Sequence, residues 1–290
     1  MHVASERWYQ WAAALFIGLC TLAAVFPLYY IIVNSLAPES ELAQGVVIIP
    51  HRLTWAAYRV VLTDIRLLQA LGISILRTAI GSLGALAFTT IGAYVLARKG
   101  MPGRKLFIFM VLITILFNGG MVPTYLVVAK TGLIDSIWAL IVPLLVDSWG
   151  LLVIKQFFEN MPESIDEAAR IDGASELQFL LRIGIPVAKP ALAAIGLFNA
   201  VGHWNAWFDA MLYLNNPAKY PLQLVLRNLL QGLDFLRQNG LEMSGSSFVR
   251  ASGDGLKMAI VILGTLPILC VYPFLQKHFT KGIYLGAVKG

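Results

Sequence analysis

Glu163-Ser-Ile-Asp-Glu-Ala-Ala-Arg-Ile-Asp-Gly-Ala-Ser-Glu-Leu-Gln-Phe-Leu-Leu-Arg-Ile-Gly-Ile-Pro186 is a polar, helix-forming island between two long apolar segments. Pro162, just before it, suits the first position of a helix, where its missing N–H removes nothing. Asp166 and Glu167 fall in the early turns, where carboxylates meet the positive end of the helix dipole. Ala168 and Ala169 are strong helix formers of minimal bulk. Ile165, Ala169 and Asp172 share one face of that helix. Gly173 can take the left-handed conformation that closes a helix. Ser175, with Gln178 three residues on, reads as a capping box opening a second short helix. Pro186 marks re-entry into apolar sequence. The expectation is helix, sharp turn, helix, with a small Ala–Ala face that another protein can approach closely.

The rest of the chain says why such an island matters. Its 290 residues are 58% hydrophobic and 13% charged, where soluble domains run near 25% charged. The chain is therefore expected to be an all-α integral membrane protein, a single transmembrane domain over 1–290 built on six apolar spans. The spans are placed at about 11–33, 71–96, 106–128, 136–157, 187–214 and 256–276, with a polar loop at 158–186. Net charge is +6. Basic residues crowding cytoplasmic loops explain this without nucleic acid. Arg98, Lys99, Arg104 and Lys105 around Gly100-Met-Pro-Gly103 form the clearest cytoplasmic turn, on the same side as the 158–186 loop. Six spans put both termini on that side too.

Details within the spans sharpen the expectation. The first run is too long for a signal peptide and is retained, and Pro27 kinks it. Residues 34–69 form an external loop with an amphipathic helix near Thr54–Thr63. Gly81 and Ala85, with Gly84 and Phe88 beside them, form a small-residue stripe in the second span. The third span breaks at Asn118-Gly-Gly120 and Pro123, tolerable only where it faces protein or a watery cavity. Lys130–Asp135 is a short external turn, and residues 215–255, rich in Gly, Ser and Asn, form an external loop.

No Gly-x-x-x-x-Gly-Lys-Ser/Thr phosphate loop is present, so the chain is not an ATPase. There is no His-Glu-x-x-His or Gly-x-Ser-x-Gly arrangement, and Cys20 and Cys270 lie in apolar runs. No enzyme, metal or cofactor is expected in the chain.

Glu167-Ala-Ala, Gly173 and Ile185-Pro186, with Asp172-Gly-Ala174 and Phe179, resemble the EAA loop of permease subunits in ATP-binding-cassette (ABC) importers of the maltose type. Phe26-Pro-Leu-Tyr29 with Asn34-Ser-Leu36 is similar to the end of the first span in sugar-importer permeases. Phe117-Asn-Gly-Gly-Met-Val-Pro-Thr-Tyr125 resembles those handling polysaccharide-derived oligosaccharides, alginate and pectin fragments among them. The C-terminal residues 277–290 resemble the tail that reaches into the ATPase. The resemblance implies the type I ABC importer permease fold in a bacterial cytoplasmic (inner) membrane, surrounded by lipid. It implies a second homologous permease subunit as partner in a heterodimer, two ATPase subunits that hold ATP and Mg²⁺, an extracytoplasmic solute-binding protein and an oligosaccharide. It assigns ATPase coupling to Glu163, Glu167, Ala168, Ala169, Asp172, Gly173, Ala174, Phe179 and Pro186.

Polar groups at membrane depth supply the candidate substrate path: Asn118, Tyr125, Asp147, His203, Trp204, Asn205, Trp207 and Asp209. Aromatic faces with amides and carboxylates suit a sugar ring. An interfacial aromatic belt explains the tryptophans equally, Asp147 reads also as a structural carboxylate, and His203 as a packing histidine. Arg77, near the outer end of its span, is long enough to snorkel to water. An ion-driven transporter using Asp147 or His203, or an ABC importer for a non-sugar solute, remains the alternative.

Overall fold

The computed structural model describes the backbone of residues 2–239 and 254–287, and the side chains of residues 8–232 and 254–270. The described residues are helical, with no strand among them. This suits lipid, which leaves no water to satisfy a free N–H or C=O. The helices in order are α1 (His2–Ser35), α2 (Glu39–Leu42), α3 (Ala56–Thr63), α4 (Ile65–Ala97), α5 (Arg104–Leu116), α6 (Met121–Lys130), α7 (Ser148–Glu159), α8 (Glu163–Ile171), α9 (Glu176–Phe179), α10 (Ile185–Asn205), α11 (Phe208–Tyr213), α12 (Leu222–Asn239) and α13 (Asp254–Ala287).

By length and composition, three unbroken stretches can cross a membrane: Trp8–Ser35, Ile65–Ala97 and Glu176–Asn205. Two bent pairs pass the same test when each is taken together, Arg104–Leu116 with Met121–Lys130 at 118°, and Ile137–Leu144 with Ser148–Glu159 at 42°. These five overlap the first five expected stretches, the fifth only as far as Asn205. The sixth, 256–276, falls within α13, and its part beyond residue 270 lies outside the described side chains.

The chain divides into two compact units. The first holds residues 1–68 and 226–267. There the end of α1 organises the following loop. Asn34 Nδ2 donates to the carbonyls of Tyr30 and Val47 at 2.7 and 3.1 Å, Tyr29 OH donates to Ile48 O at 2.8 Å, and the Ser35 and Tyr58 hydroxyls lie 2.7 Å apart. Tyr58 sits on α3, the expected amphipathic helix.

The second unit holds residues 69–225 and 268–290. Its core joins α4, α7, α8, α9 and α10 through Tyr94, Leu151, Ile154, Phe158, Ala169, Phe179, Leu192 and Ile195. Glycines on α4 allow the approach. A Cβ on Gly84 would lie 2.9 Å from Leu145, and one on Gly92 would lie 3.1 Å from Leu151. The expected stripe thus runs on through Gly92, while Phe88 points outward and is exposed. The α5–α6 break sits where expected. Asn118 Oδ1 accepts the Gly120 N–H at 2.9 Å, and Gly120 has φ +85°.

Three expectations fail. The fifth span does not run unbroken over 187–214: α10 ends at Asn205, and α11 starts anew at Phe208. Pro186 does not start a new helix either. The capping box at Ser175 and Gln178 forms, but it opens a continuous stretch from Glu176 to Asn205 rather than a separate short helix. A π-turn at Leu180–Gly184 precedes Pro186, whose missing N–H breaks the regular ladder. Finally, residues 215–255 are not all loop. Pro221 leads into α12, an amphipathic helix that the Gly/Ser/Asn count concealed, and Leu222 and Leu224 on it are buried. The rest of that expected loop, 240–253, lies outside the described residues.

The turn at Asp135 shows how a loop is held. Asp135 has φ +59° and accepts the N–H groups of Asn215 and Asn216 at 3.1 and 3.0 Å. Lys219 Nζ pairs with it at 2.7 Å, and this bond together with the Asn216 amide holds its carboxyl below the usual range. Asn tolerates a left-handed backbone and keeps an acceptor, whereas a β-branched residue does not. Asp135→Asn is therefore expected to leave the turn nearly intact and Asp135→Val to be clearly the more destabilising of the two. Thermal unfolding of the two purified variants checks the order.

Candidate functional site

The hairpin over residues 163–176 forms with the expected glycine turn and capping box, although Pro162 stands at the N-cap, one residue before the helical position expected for it. Pro162 precedes α8 in an extended conformation, and Glu163 and Asp166 lie in the first turn. Gly173, at φ +72°, closes the helix. Its N–H bonds Arg170 O at 3.1 Å and the Ala174 N–H bonds Ala169 O at 3.0 Å, the paired bonds of a Schellman ending. Ser175 Oγ then accepts the Gln178 N–H while Gln178 Oε1 accepts the Ser175 N–H at 2.9 Å. The end of α8 and the start of α9 thus have their backbone groups satisfied where the two arms meet, so the tip is built to hold one shape.

One side of this hairpin is tied to its own unit. Ala169, Phe179 and Leu180 join the core. Phe179 stacks on Tyr94, and Tyr94 meets Phe158 edge-on. The basic turn after α4 grips the acidic arms. Arg98 pairs with Asp166 on α8 and, at 2.6 Å, with Glu176 on α9, while Tyr94 OH also bonds Glu176. Lys99 pairs with Glu163 at 2.6 Å, and Arg104 with Glu159. Burial alone would weaken the proton affinity of Arg98, but hydrogen bonds to Asp166 and Tyr94 reverse this and raise its pKa. Lys99 lowers the pKa of Glu163, on an exposed pair that salt will screen. Arg98, Lys99, Asp166, Glu163 and Glu176 line an open cleft of about 610 Å³.

The other side is left open. Glu163, Glu167, Ala168, Asp172 and Gly173 are exposed, as is Pro186 at the base. Ile171 is 85% exposed and Leu177 64%, two large apolar side chains on a charged tip. The expected Ala–Ala face is thus divided: Ala168 looks out, whereas Ala169 is buried, and so is Phe179. Ala174 is half-buried. Ile171 and Leu177 were missed because neither belongs to the motif, although an apolar residue beside a helix-closing glycine was a usable signal.

The path candidates separate by role. Asp147 caps α7, accepting the Gly150 N–H at 2.9 Å, and its own N–H donates to Thr89 Oγ1 at 3.1 Å. Asn118 is engaged with Gly120, and Tyr125 stacks on Tyr213. His203 is buried with its ring against Gly81, and Nδ1 lacks a partner there. Trp204 is buried, Asn205 exposed and Trp207 half-buried beside Phe208. Arg77 corrects the snorkelling expectation. Its side chain is 0% exposed, ion-paired with Asp209 and donating to Ala206 O at 3.0 Å. It seals the α10–α11 break instead of reaching for water. Scarcity was the available signal: Asp209 is a carboxylate at membrane depth, and a charge there needs a partner.

Residues 90–284 match the family described as the binding-protein-dependent transport system inner membrane component. The chain belongs to this family. The matched region begins on α4 and takes in the basic turn, the hairpin and all later helices. Among relatives of this permease, protein LplC of Bacillus subtilis (strain 168) is 44% identical over 277 residues, covering 95% of this chain and 93% of that one. The polygalacturonan/rhamnogalacturonan transport system permease protein YtcP of the same organism is 38% identical over 276 residues, covering 95% and 96%. Among solved structures, a chain of a bacterial ABC transporter involved in the import of the acidic polysaccharide alginate superposes with a TM-score of 0.85 at 32% identity, over 95% of this permease and 98% of that chain. The fold is that of a type I ABC importer permease, and the chain is a transport subunit rather than an enzyme.

Proposed function

We propose that this permease forms half of the translocation pathway of an ATP-driven importer for an acidic oligosaccharide. It pairs with a second, homologous permease. Two ATPase subunits bind ATP and Mg²⁺ on the cytoplasmic side, and an extracytoplasmic solute-binding protein delivers the sugar. The hairpin, the basic turn and both termini face the cytoplasm of a bacterial cell, and the 158–186 loop is the coupling element.

The observation that carries this reading is the two-sided hairpin. A tip with satisfied backbone ends, fixed to α4 and α10 on one side, displays Ile171, Leu177 and Glu167 on the other. Exposed apolar side chains rimmed by charge mark a protein contact. A lever for an ATPase needs that combination of rigid root and free face. The acidic class of sugar is supported by the substrates named for YtcP and for the alginate importer, and by the Asn118–Tyr125 string. Asp147 and His203 are poor ion carriers in this setting, since one is a helix cap and the other is enclosed, which favours ATP over an ion gradient.

The test is reconstitution with the ATPase, the partner permease and the binding protein. Glu167→Lys and Gly173→Trp are expected to abolish stimulation of ATP hydrolysis by loaded binding protein, with membrane insertion normal. Gly173 sits in a left-handed turn where Trp is strained. Unchanged stimulation in both variants would remove the hairpin from the mechanism. Stimulation by neutral oligosaccharides, with none by oligogalacturonate or oligoalginate, would overturn the substrate class.

A further inference from the structure

Arg98 meets both arms of the hairpin and the membrane helix behind it. One guanidinium nitrogen donates to Asp166 on α8. The other donates to Glu176 at the start of α9 and to Tyr94 on α4. Its carbon lies 4.7 Å from the Tyr94 ring centre and 4.9 Å from that of Phe179. The two rings are themselves stacked at 6.1 Å. The residue stands one position beyond the end of α4, a rod of 33 residues. At about 1.5 Å per residue, that rod carries a displacement at Arg98 to Arg77, roughly 30 Å away.

We propose that Arg98 is the positioning residue that joins the hairpin to the second span, so that a push on the tip moves α4 and α10 together. Without it the hairpin keeps the Tyr94–Glu176 hydrogen bond on α9, the packed Ala169, Phe179 and Leu180, and the exposed Lys99–Glu163 pair, but no one side chain holds α8, α9 and α4 together. With it, α8 and α9 cannot separate from each other or from α4. A guanidinium suits the task because its planar fork bonds two carboxylates while its faces lie on aromatic rings. An ammonium is a point charge and cannot do both. The aromatic floor covers one face of the pair, leaving Arg98 and Asp166 26% and 28% exposed against 82% and 77% for Lys99 and Glu163, so solvent screens it less.

The proposal rests on the coupling role of the hairpin, and the experiment keeps the two apart. In the reconstituted importer, basal ATP hydrolysis, its stimulation by loaded binding protein, and sugar transported per ATP are measured for Arg98→Lys, Arg98→Met, Lys105→Met and Gly173→Trp. Lys105 is an exposed cation of the same turn. Arg98→Met is expected to assemble with the ATPase, keep basal hydrolysis, and lose at least tenfold in sugar moved per ATP. Arg98→Lys should lose about threefold to tenfold despite its retained charge, and Lys105→Met should match the wild type. If Arg98→Met does not assemble, Arg98→Lys decides. A wild-type transport-to-hydrolysis ratio in whichever Arg98 variant assembles, with stimulation abolished in Gly173→Trp, overturns the role of Arg98 and leaves the coupling hairpin standing. Wild-type stimulation in Gly173→Trp overturns both.

Discussion

Asp209→Ala is expected to destabilise the permease by about 3–5 kcal/mol, because it strands a charge. The Arg77 side chain has no exposed surface, and its head is held by Asp209 and by the carbonyl of Ala206. Nε is buried without a partner, so the site has no spare acceptor to take over. A surface pair would be worth at most about 1 kcal/mol, and its loss would pass unnoticed. Here the side chain is fully buried and the guanidinium cannot deprotonate. Replacing both partners, as in Arg77→Met with Asp209→Leu, removes the buried charge altogether and should recover most of the loss. Thermal unfolding in detergent, followed by size-exclusion chromatography, reads both. Equal melting of Asp209→Ala and wild type would mean that Arg77 reaches water after all. The pair also bears on function, since Ala206 and Asp209 flank the gap between α10 and α11. Loosening it should soften the part of the fifth span that carries Trp204, Asn205 and Trp207.

What the sequence disclosed and what it concealed follow from the range of the forces involved. Local signals were legible. The glycine at 173, the capping box at 175–178 and the break at 118–120 each depend on one or two residues, and each sits where its chemistry places it. The positions of the long apolar helices were legible because a bilayer demands a length and scarce charge marks the edges. Pairings between distant segments were not. Arg98 and Asp166 are separated by 68 positions and Arg77 and Asp209 by 132. Their signs were readable, and the orientation rule put the basic turn and the acidic loop on one side, but nothing local says which cation meets which acid. Asp147 fell between the two cases. Its spacing to Gly150 is that of a helix cap, yet its position in an apolar run suggested a path residue. Residues 222–239 misled for a different reason. Polar composition describes a loop and the wet face of an amphipathic helix alike, and only the apolar periodicity separates them.

The close approach of α4 and α10 yields the last expectation, that Gly81→Ala destabilises the protein although alanine is the better helix former. In an open helical position this substitution gains up to about 1 kcal/mol. Gly72, on the same helix, has nothing within 4 Å of where an added Cβ would lie, and should show that gain or no change. At Gly81 an added Cβ would lie 2.6 Å from His203 Cε1 and Nε2. The ring cannot step aside cheaply, since His203 is 5% exposed and Trp204 beside it is 6% exposed. Forcing extra volume into such a contact costs about 1–3 kcal/mol. The sign reversal between Gly72 and Gly81 is the diagnostic, because helix propensity alone predicts the same sign at both. Removing the obstacle supplies the second arm. In a His203→Ala background, Gly81→Ala should cost nothing or gain, a coupling of about 0.5–3 kcal/mol between the two sites. Additive effects would mean that the imidazole does not rest on Gly81, and the reading of His203 as an enclosed packing residue would then give way to one in which its ring faces the transport path.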